Sequence, residues 1–175
     1  MATTIRRLAR VLALQTLFEV DSVGHEPVPV LVRHLEDNGL TGDGAAFATG
    51  LVEGVVTHRD ELDVIIAKAA PNWPMDQMAK VDKNVLRLAI YELLFNTEVP
   101  LKAAINEAVE LGKRFGSDSS SRFINGVLGT VAAHVQTRRP RGRAGTPGAS
   151  GLGENVSPFA GLDLENLEGL TEGPP

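Results

Sequence analysis

The feature that most constrains the fold is the segment at 99–129, where apolar residues recur every three or four positions on both sides of a short polar loop. This spacing is typical of amphipathic helices. Pro100 suits the first turn of a helix, which does not need its missing N–H. The polar run at 117–121 offers several N-caps for a second helix. The segment therefore predicts two helices joined by a tight loop.

Helical spacing also dominates the rest of the chain up to residue 136, and no convincing strand pattern of alternating apolar and polar residues interrupts it. Further helices are predicted at 1–21, 28–35, 43–56, 62–69 and 75–95. Pro71 and Pro74 mark a boundary between two subdomains, at about 1–71 and 72–136. We therefore expect an all-α protein with about seven helices in two small packed bundles.

The sequence changes character after residue 136. Four arginines at 138–143 are mixed with Pro and Gly, and the residues from 152 onward include acids but no Lys or Arg. The segment at 137–175 is too poor in apolar residues to build a core, so we expect a disordered tail. The tail either keeps the protein soluble or folds back on a basic surface.

The composition and motifs exclude several kinds of site. The chain has no cysteine, and its four histidines lack ligand spacing, so we expect no disulfide, no metal site and no other cofactor. Glu107 and Glu110 fit a solvated helix face, and the phosphate-loop and nucleophile-elbow motifs are absent, so we expect no enzyme. No apolar run approaches the ~20 residues of a membrane span, and we expect a cytoplasmic protein with no membrane contact.

Two basic clusters remain, although the net charge is −5. Arg6, Arg7 and Arg10 fall within one arc of the first helix, whose arginine-bearing end we place at the surface. Cations there oppose the helix macrodipole, which favours a binding role over a merely solvated first turn. The second cluster consists of Lys113, Arg114, Phe115, Arg122 and Phe123.

Cations beside aromatic rings are the combination that binds single-stranded RNA, through phosphates and stacked bases. The alternative is that both phenylalanines belong to the core. Asn125 either offers its amide to a base edge or, with Gly126, marks a close helix crossing. Arg87 either extends its side chain to the surface or joins the basic face.

Three motifs resemble the NusB family. The run VPLKAAINEAVELGKRFG, followed by RFINGVL, is similar to the C-terminal signature of that family. The segment VDKNVLRLAIYELL and the opening RRLAR followed by ALQTLF are similar to it as well. The resemblance runs in order from Ile5 to Val135 and does not include the tail.

The resemblance implies a transcription antitermination factor that promotes processive transcription. Such proteins bind boxA-type single-stranded RNA in ribosomal RNA transcripts together with the ribosomal protein NusE, in an antitermination complex with RNA polymerase. Some members are dimers, so a homodimer is also open. Leu8 replaces an arginine that is common in the RRxAR run, a change that would lower RNA affinity without abolishing it.

The resemblance also implies the site residues. Asp76 and Asp82 fall where the family has carboxylates that face its protein partner, and we expect Asp82 near the exposed start of its helix. The predicted RNA-binding residues are Arg6, Arg7, Arg10, Arg87, Lys113, Arg114, Phe115, Arg122, Phe123 and Asn125.

Two other classes compete with this interpretation. The helical domain also resembles the N-terminal part of some RNA cytosine methyltransferases, but 175 residues leave no room for their catalytic domain. The other class is a protein-only helical adaptor whose dimer would hide the arginine face.

Overall fold

A computed structural model of the chain describes residues 2–96 and 99–136, and all regular secondary structure within them is α-helical. This confirms the prediction of an all-α fold with about seven helices. The predicted tail lies outside the described residues. The helices are α1 (Ala2–Val23), α2 (Pro27–Asp37), α3 (Gly42–Thr57), α4 (Arg59–Ala69), α5 (Lys80–Phe95), α6 (Leu101–Phe115) and α7 (Ser120–Gln136).

Helix α1 is the centre of the fold, as its apolar sequence predicts. It packs against α2, α3 and α5, and its residues are buried on several sides from Ala9 onward. A helix that is apolar almost all round must be covered in this way. Its first two turns, which include Arg6 and Arg7, are exposed, and so are Phe18 and Val23 toward its other end.

Helix α5 begins at Lys80, so the predicted helix start at residue 75 is wrong. The backbone N–H of Gln77 bonds to the carbonyl of Pro74 at 3.0 Å, which makes a turn, and Ala79 is extended. The predicted boundary at Pro71 and Pro74 falls in this linker. One hydrophobic cluster nevertheless contains residues from both sides of the linker, and α1 packs against α5 across it. The division into two subdomains stays a prediction.

Helices α6 and α7 form the predicted hairpin, and they approach closely at Gly112. A Cβ at Gly112 would lie 2.6 Å from Cδ1 of Ile124, so only glycine fits there without a shift. Of the two alternatives for Asn125 and Gly126, the close helix crossing is wrong, because a Cβ at Gly126 would meet nothing within 4 Å. In the loop, Ser117 N–H donates to Ser120 Oγ at 2.8 Å, which fixes the start of α7.

Across the described ranges, no helix has the length and apolar character needed to cross a membrane.

Candidate nucleic-acid interface

Arg6 and Arg7 lie on the exposed first turns of α1, as predicted. The Arg7 side chain is 61% exposed, and its Nε donates to both carboxylate oxygens of Glu107 on α6, at 3.0 and 3.2 Å. The Arg6 guanidinium lies 5.3 Å from the ring centroid of Phe47, a cation–π distance. Both cations are therefore within reach of a ligand at the surface.

Arg10 is buried, so the expectation that all three arginines lie at the surface is wrong. Its side chain is 6% exposed and forms a bidentate pair with Glu92 on α5, at 2.9 and 2.8 Å. The reason is that α1 enters the core at Ala9, one residue earlier. The Arg10 charge is therefore neutralised by Glu92, although the residue still contributes to the lining of a surface cavity.

Arg87 is also an interior residue, and neither of the two surface positions expected for it is correct. Its Nε and Nη2 donate to the Asp63 carboxylate at 2.6 and 2.8 Å, and its Nη1 donates to Asn84 Oδ1 at 3.2 Å. Asp21 of α1 lies 3.7 Å away. The side chain joins α1, α4 and α5, and at 4% exposure it is not part of a basic surface.

The structure brings Lys113 and Arg114, at the end of α6, next to the first cluster. Arg7, Arg10 and Arg114 line one cavity of about 210 Å³ together with Glu107 and Glu110. Glu110 pairs with Lys113 at 2.9 Å, so the two acids do not form the purely solvated face that was expected. The charge on this surface is positive but partly compensated.

Phe115 and Phe123 both pack partly against the core and remain partly exposed. Each ring therefore belongs in part to the core and in part to the surface, where a base would stack. The Arg114 guanidinium lies 4.9 Å from the Phe115 ring centroid. Phe123 lies in a different environment with Arg122, where both line a second cavity of about 350 Å³. Asn125 is exposed on α7 and lies outside that lining.

The second cavity also contains Trp73 and Asp82. The Trp73 side chain is 59% exposed and meets Phe123 edge to face, with the ring centroids 5.8 Å apart. Asp82 is 8% exposed, which corrects the expectation of an exposed position, whereas Asp76 is exposed. Sequence reasoning missed Trp73, although a lone tryptophan between Asn72 and Pro74 in a turn was a usable signal.

A third cavity of about 540 Å³ lies between α1, α2, α5 and the end of α6 and is mostly apolar. Phe18 and Val23, which are 40% and 59% exposed, line it together with Val81 and Phe115. Exposed apolar surfaces of this kind often mark protein interaction sites. Sequence reasoning missed this surface as well.

Glu19 lies at the edge of that apolar surface. Hydrogen bonds from Arg33 and then from His25 lower the pKa of the Glu19 carboxyl from 4.5 to about 2. Within the residues that the structure describes, no group of three or more His, Cys, Asp or Glu is arranged to hold a metal ion.

Known proteins are similar to this chain in sequence and in fold. The family model described as the NusB family matches residues 7–133. The transcription antitermination protein NusB of Roseiflexus sp. (strain RS-1) is 51% identical over 138 residues, which is 78% of this chain and 97% of that protein. Its counterpart from Chloroflexus aggregans is 53% identical over 136 residues, 77% of this chain and 91% of the relative.

Solved structures agree with these relatives. NusB of T. maritima has a TM-score of 0.69 at 31% identity, over 73% of this chain and 90% of that one. A NusB in a crystal structure of antitermination factors NusB and NusE with dsRNA has a TM-score of 0.68 at 28% identity, over 74% and 97%. The family model matches residues 7–133, and a relative that is 51% identical is matched over 97% of its length. This chain therefore belongs to the NusB family of transcription antitermination proteins.

Proposed function

We propose that the protein binds boxA-type single-stranded RNA in ribosomal RNA transcripts together with the ribosomal protein NusE, within an antitermination complex with RNA polymerase. Its contribution is assembly of that complex, which keeps transcription processive, and it carries out no catalysis. A cytoplasmic location follows from this role in a bacterial cell. The solved complex of NusB, NusE and dsRNA supports the choice of both partners.

The observation that carries the proposal is the meeting of two basic segments that are far apart in sequence. Arg7 on α1 and Arg114 on α6 line the same concave surface, and Lys113 lies beside it through its pair with Glu110. Arg6 extends the surface toward Phe47. Phosphates of a single strand are bound by such cations, and exposed rings beside them accept bases.

The charges also explain why a protein partner is needed. Arg7 and Lys113 each face a carboxylate of α6, and Arg10 and Arg87 are neutralised in the interior. Few phosphates can therefore be bound, and the phosphate contacts supply most of the affinity in nonspecific nucleic-acid binding. The protein alone should bind RNA weakly.

The apolar cavity lined by Phe18, Val23 and Val81 is the part of the surface best suited to a protein partner. Interfaces derive most of their energy from a few buried aromatic and aliphatic side chains. Asp76, which is exposed just before α5, and Asp82 on the first turn of α5 are the carboxylates that we propose face that partner. A second copy of this chain could cover the same surface, which would give the homodimer.

A titration of boxA-type RNA with and without purified NusE tests the proposal. We expect tighter binding with NusE, and a logarithmic salt slope of about −0.7 for each phosphate contact. Light scattering across protein concentrations, with and without RNA, checks for a dimer. A binding constant that is flat with salt, or unaffected by NusE, would contradict the proposed assembly.

A further inference from the structure

A groove runs between α1 and α6 above α5. Within the described ranges, α1 and α6 each pack closely against α5 but not closely against each other. Arg7 and Glu107 join the two helices by a single ion pair at 3.0 Å. The space between α1 and α6 is therefore open at the surface.

The groove is cationic toward the start of α1 and apolar toward its end. The cavity of about 210 Å³ is lined by Val11 of α1 and Arg114 of α6. The cavity of about 540 Å³ follows directly, since Leu14 and Phe115 line it together with the exposed Phe18. The Arg114 guanidinium lies 4.9 Å from the Phe115 ring centroid, so the two parts meet. An occupant of the whole groove must therefore combine acidic and apolar residues along a length of chain.

A segment of this chain, at 162–170, has that composition. Leucines at 162, 164, 167 and 170 are interspersed there with Asp163, Glu165 and Glu168, and no Lys or Arg follows residue 143. The family model ends at residue 133, and the Roseiflexus relative is matched over 97% of its own length but over 78% of this chain. The segment therefore lies beyond the part of the chain that the family model matches.

The segment is tethered within reach of the groove. Residues 137–161 separate it from the end of α7. A chain of that length can span up to about 80 Å, which is about twice the width of a compact domain of this size. A short tether holds a segment at a local concentration on the order of 1 mM. Even a weak contact is therefore enough to keep the segment in the groove for much of the time.

We propose that the segment at 162–170 docks in the groove between α1 and α6 and competes there with RNA and NusE, a competition that rests on the proposed function. Its carboxylates face Arg7 and Arg114, and its leucines pack at Phe18 and Val23. RNA needs the same cations, and a protein partner needs the same apolar surface. Either partner displaces the segment and so makes binding of the other more favourable, which couples the two binding events.

The acids of the segment have a second possible partner in the four arginines at 138–143. Ion pairs with those arginines would occupy Asp163, Glu165 and Glu168 but would give the leucines no role. Docking in the groove requires the leucines as well, because more than half of the groove by volume is apolar. Substitution of the leucines therefore distinguishes the two arrangements.

The first test titrates boxA-type RNA into full-chain variants at low salt. With Leu164→Ser and Leu167→Ser, RNA should bind about fivefold more tightly than to the unmodified chain, because the cations are no longer covered. With Asp163→Asn, Glu165→Gln and Glu168→Gln, the gain should be similar and should shrink as added salt screens the charges.

The matched control neutralises three exposed acids of the helical domain and so makes the same change in net charge. Its substitutions are Glu26→Gln, Glu36→Gln and Glu53→Gln. RNA should bind this variant less than about twofold more tightly than the unmodified chain, because these acids lie outside the groove.

The second test needs no RNA. A labelled peptide of residues 161–172 is titrated into the full-chain variant with the three neutralised tail acids, whose own segment no longer competes. We expect a Kd of about 0.2 mM, which against a local concentration of about 1 mM gives the fivefold competition. Phe18→Ser in this background should weaken peptide binding at least about tenfold. Val64→Ser should leave it unchanged, since Val64 is a similarly exposed apolar residue on α4, at 44% against 40% for Phe18.

The outcomes separate the inference from the proposed function. If the peptide does not bind, or binds the Phe18→Ser variant unchanged, the segment does not dock in the groove and the inference fails. If the peptide binds but the leucine variant gains no RNA affinity, the segment does not compete with RNA and the inference fails as well. If no variant binds boxA-type RNA, even with NusE, while the peptide binds as expected, the proposed function fails and the docking site stands.

Discussion

Arg7 and Arg10 lie three residues apart on the same helix, yet the structure gives them opposite environments. Arg7 is mostly exposed and holds Glu107 at the edge of a concave surface, whereas Arg10 is enclosed with Glu92. The difference arises within one turn, where α1 passes from solvent into the core at Ala9. An arginine therefore belongs to the exposed basic surface or to the interior according to the depth of its helix at that point.

Arg87 and Arg114 repeat this contrast in the second half of the chain. Arg87 ties three helices together through Asp63, Asn84 and Asp21. Arg114 is exposed at the end of α6, where its positive charge also suits the helix macrodipole. The predicted basic face thus divides into cations that are exposed at the surface and cations that are paired in the interior.

The largest effect is expected for Arg10→Met. Because Glu92 would be left charged and unpaired in the interior, the free energy of unfolding should fall by about 3–5 kcal/mol. Arg7→Met is the matched control, and as a surface substitution it should change stability by no more than about 0.5 kcal/mol. Urea denaturation followed by circular dichroism measures both variants.

The double variant Arg10→Met with Glu92→Met keeps this test informative if the single variant does not fold. Replacing both partners of a buried pair by apolar groups removes the uncompensated charge, so most of the lost stability should return. If Arg7→Met and Arg10→Met lowered the free energy of unfolding by equal small amounts, the difference in burial between the two arginines would not affect stability.

A smaller effect is expected on RNA affinity, and here Arg7→Met is the variant that should cause the loss. Arg7→Met should weaken binding to boxA-type RNA several-fold and make the logarithmic salt slope shallower by about 0.7, the value for one lost contact with a single strand. Arg59→Met is the control, since Arg59 is another half-exposed arginine, paired with Asp21 rather than placed on the basic surface. If both variants lose the same affinity, the effect comes from net charge and not from a site.

The smallest effect is expected for the ion pair of Glu19 with Arg33, which lies at the surface, whereas the Arg10–Glu92 pair is buried. Arg33 and His25 lower the pKa of Glu19 to about 2, below its ordinary value of 4.5. The ionised Glu19 carboxylate therefore stabilises the folded protein fully above about pH 4.5, and this contribution is lost as the pH falls toward 2. Glu19→Gln should lose stability less steeply than the unmodified protein between these values, as measured by urea denaturation at several pH values, and equal slopes would exclude the contribution.

The fold was largely accessible from the sequence, because helical spacing is a local signal. The apolar pattern of α1 predicted its central position, and the polar loop at 117–121 predicted the hairpin of α6 and α7. The prediction was wrong at residue 75, where turn hydrogen bonds hold the backbone out of helix before Lys80. At Gly126, one of the two alternatives, a close helix crossing, is also wrong, since the close helix approach occurs at Gly112.

The sequence by itself determined the helices and their apolar faces, and its motifs predicted the family, because these depend on residues that are neighbours along the chain. Only the tertiary structure decided which cations remain available, since Arg10 meets Glu92 from 82 positions away and Arg87 meets Asp63 from 24. The same holds for Trp73, whose ring meets that of Phe123 on α7. The burial of a charge is set by partners that other helices bring to it, and no local pattern encodes those partners.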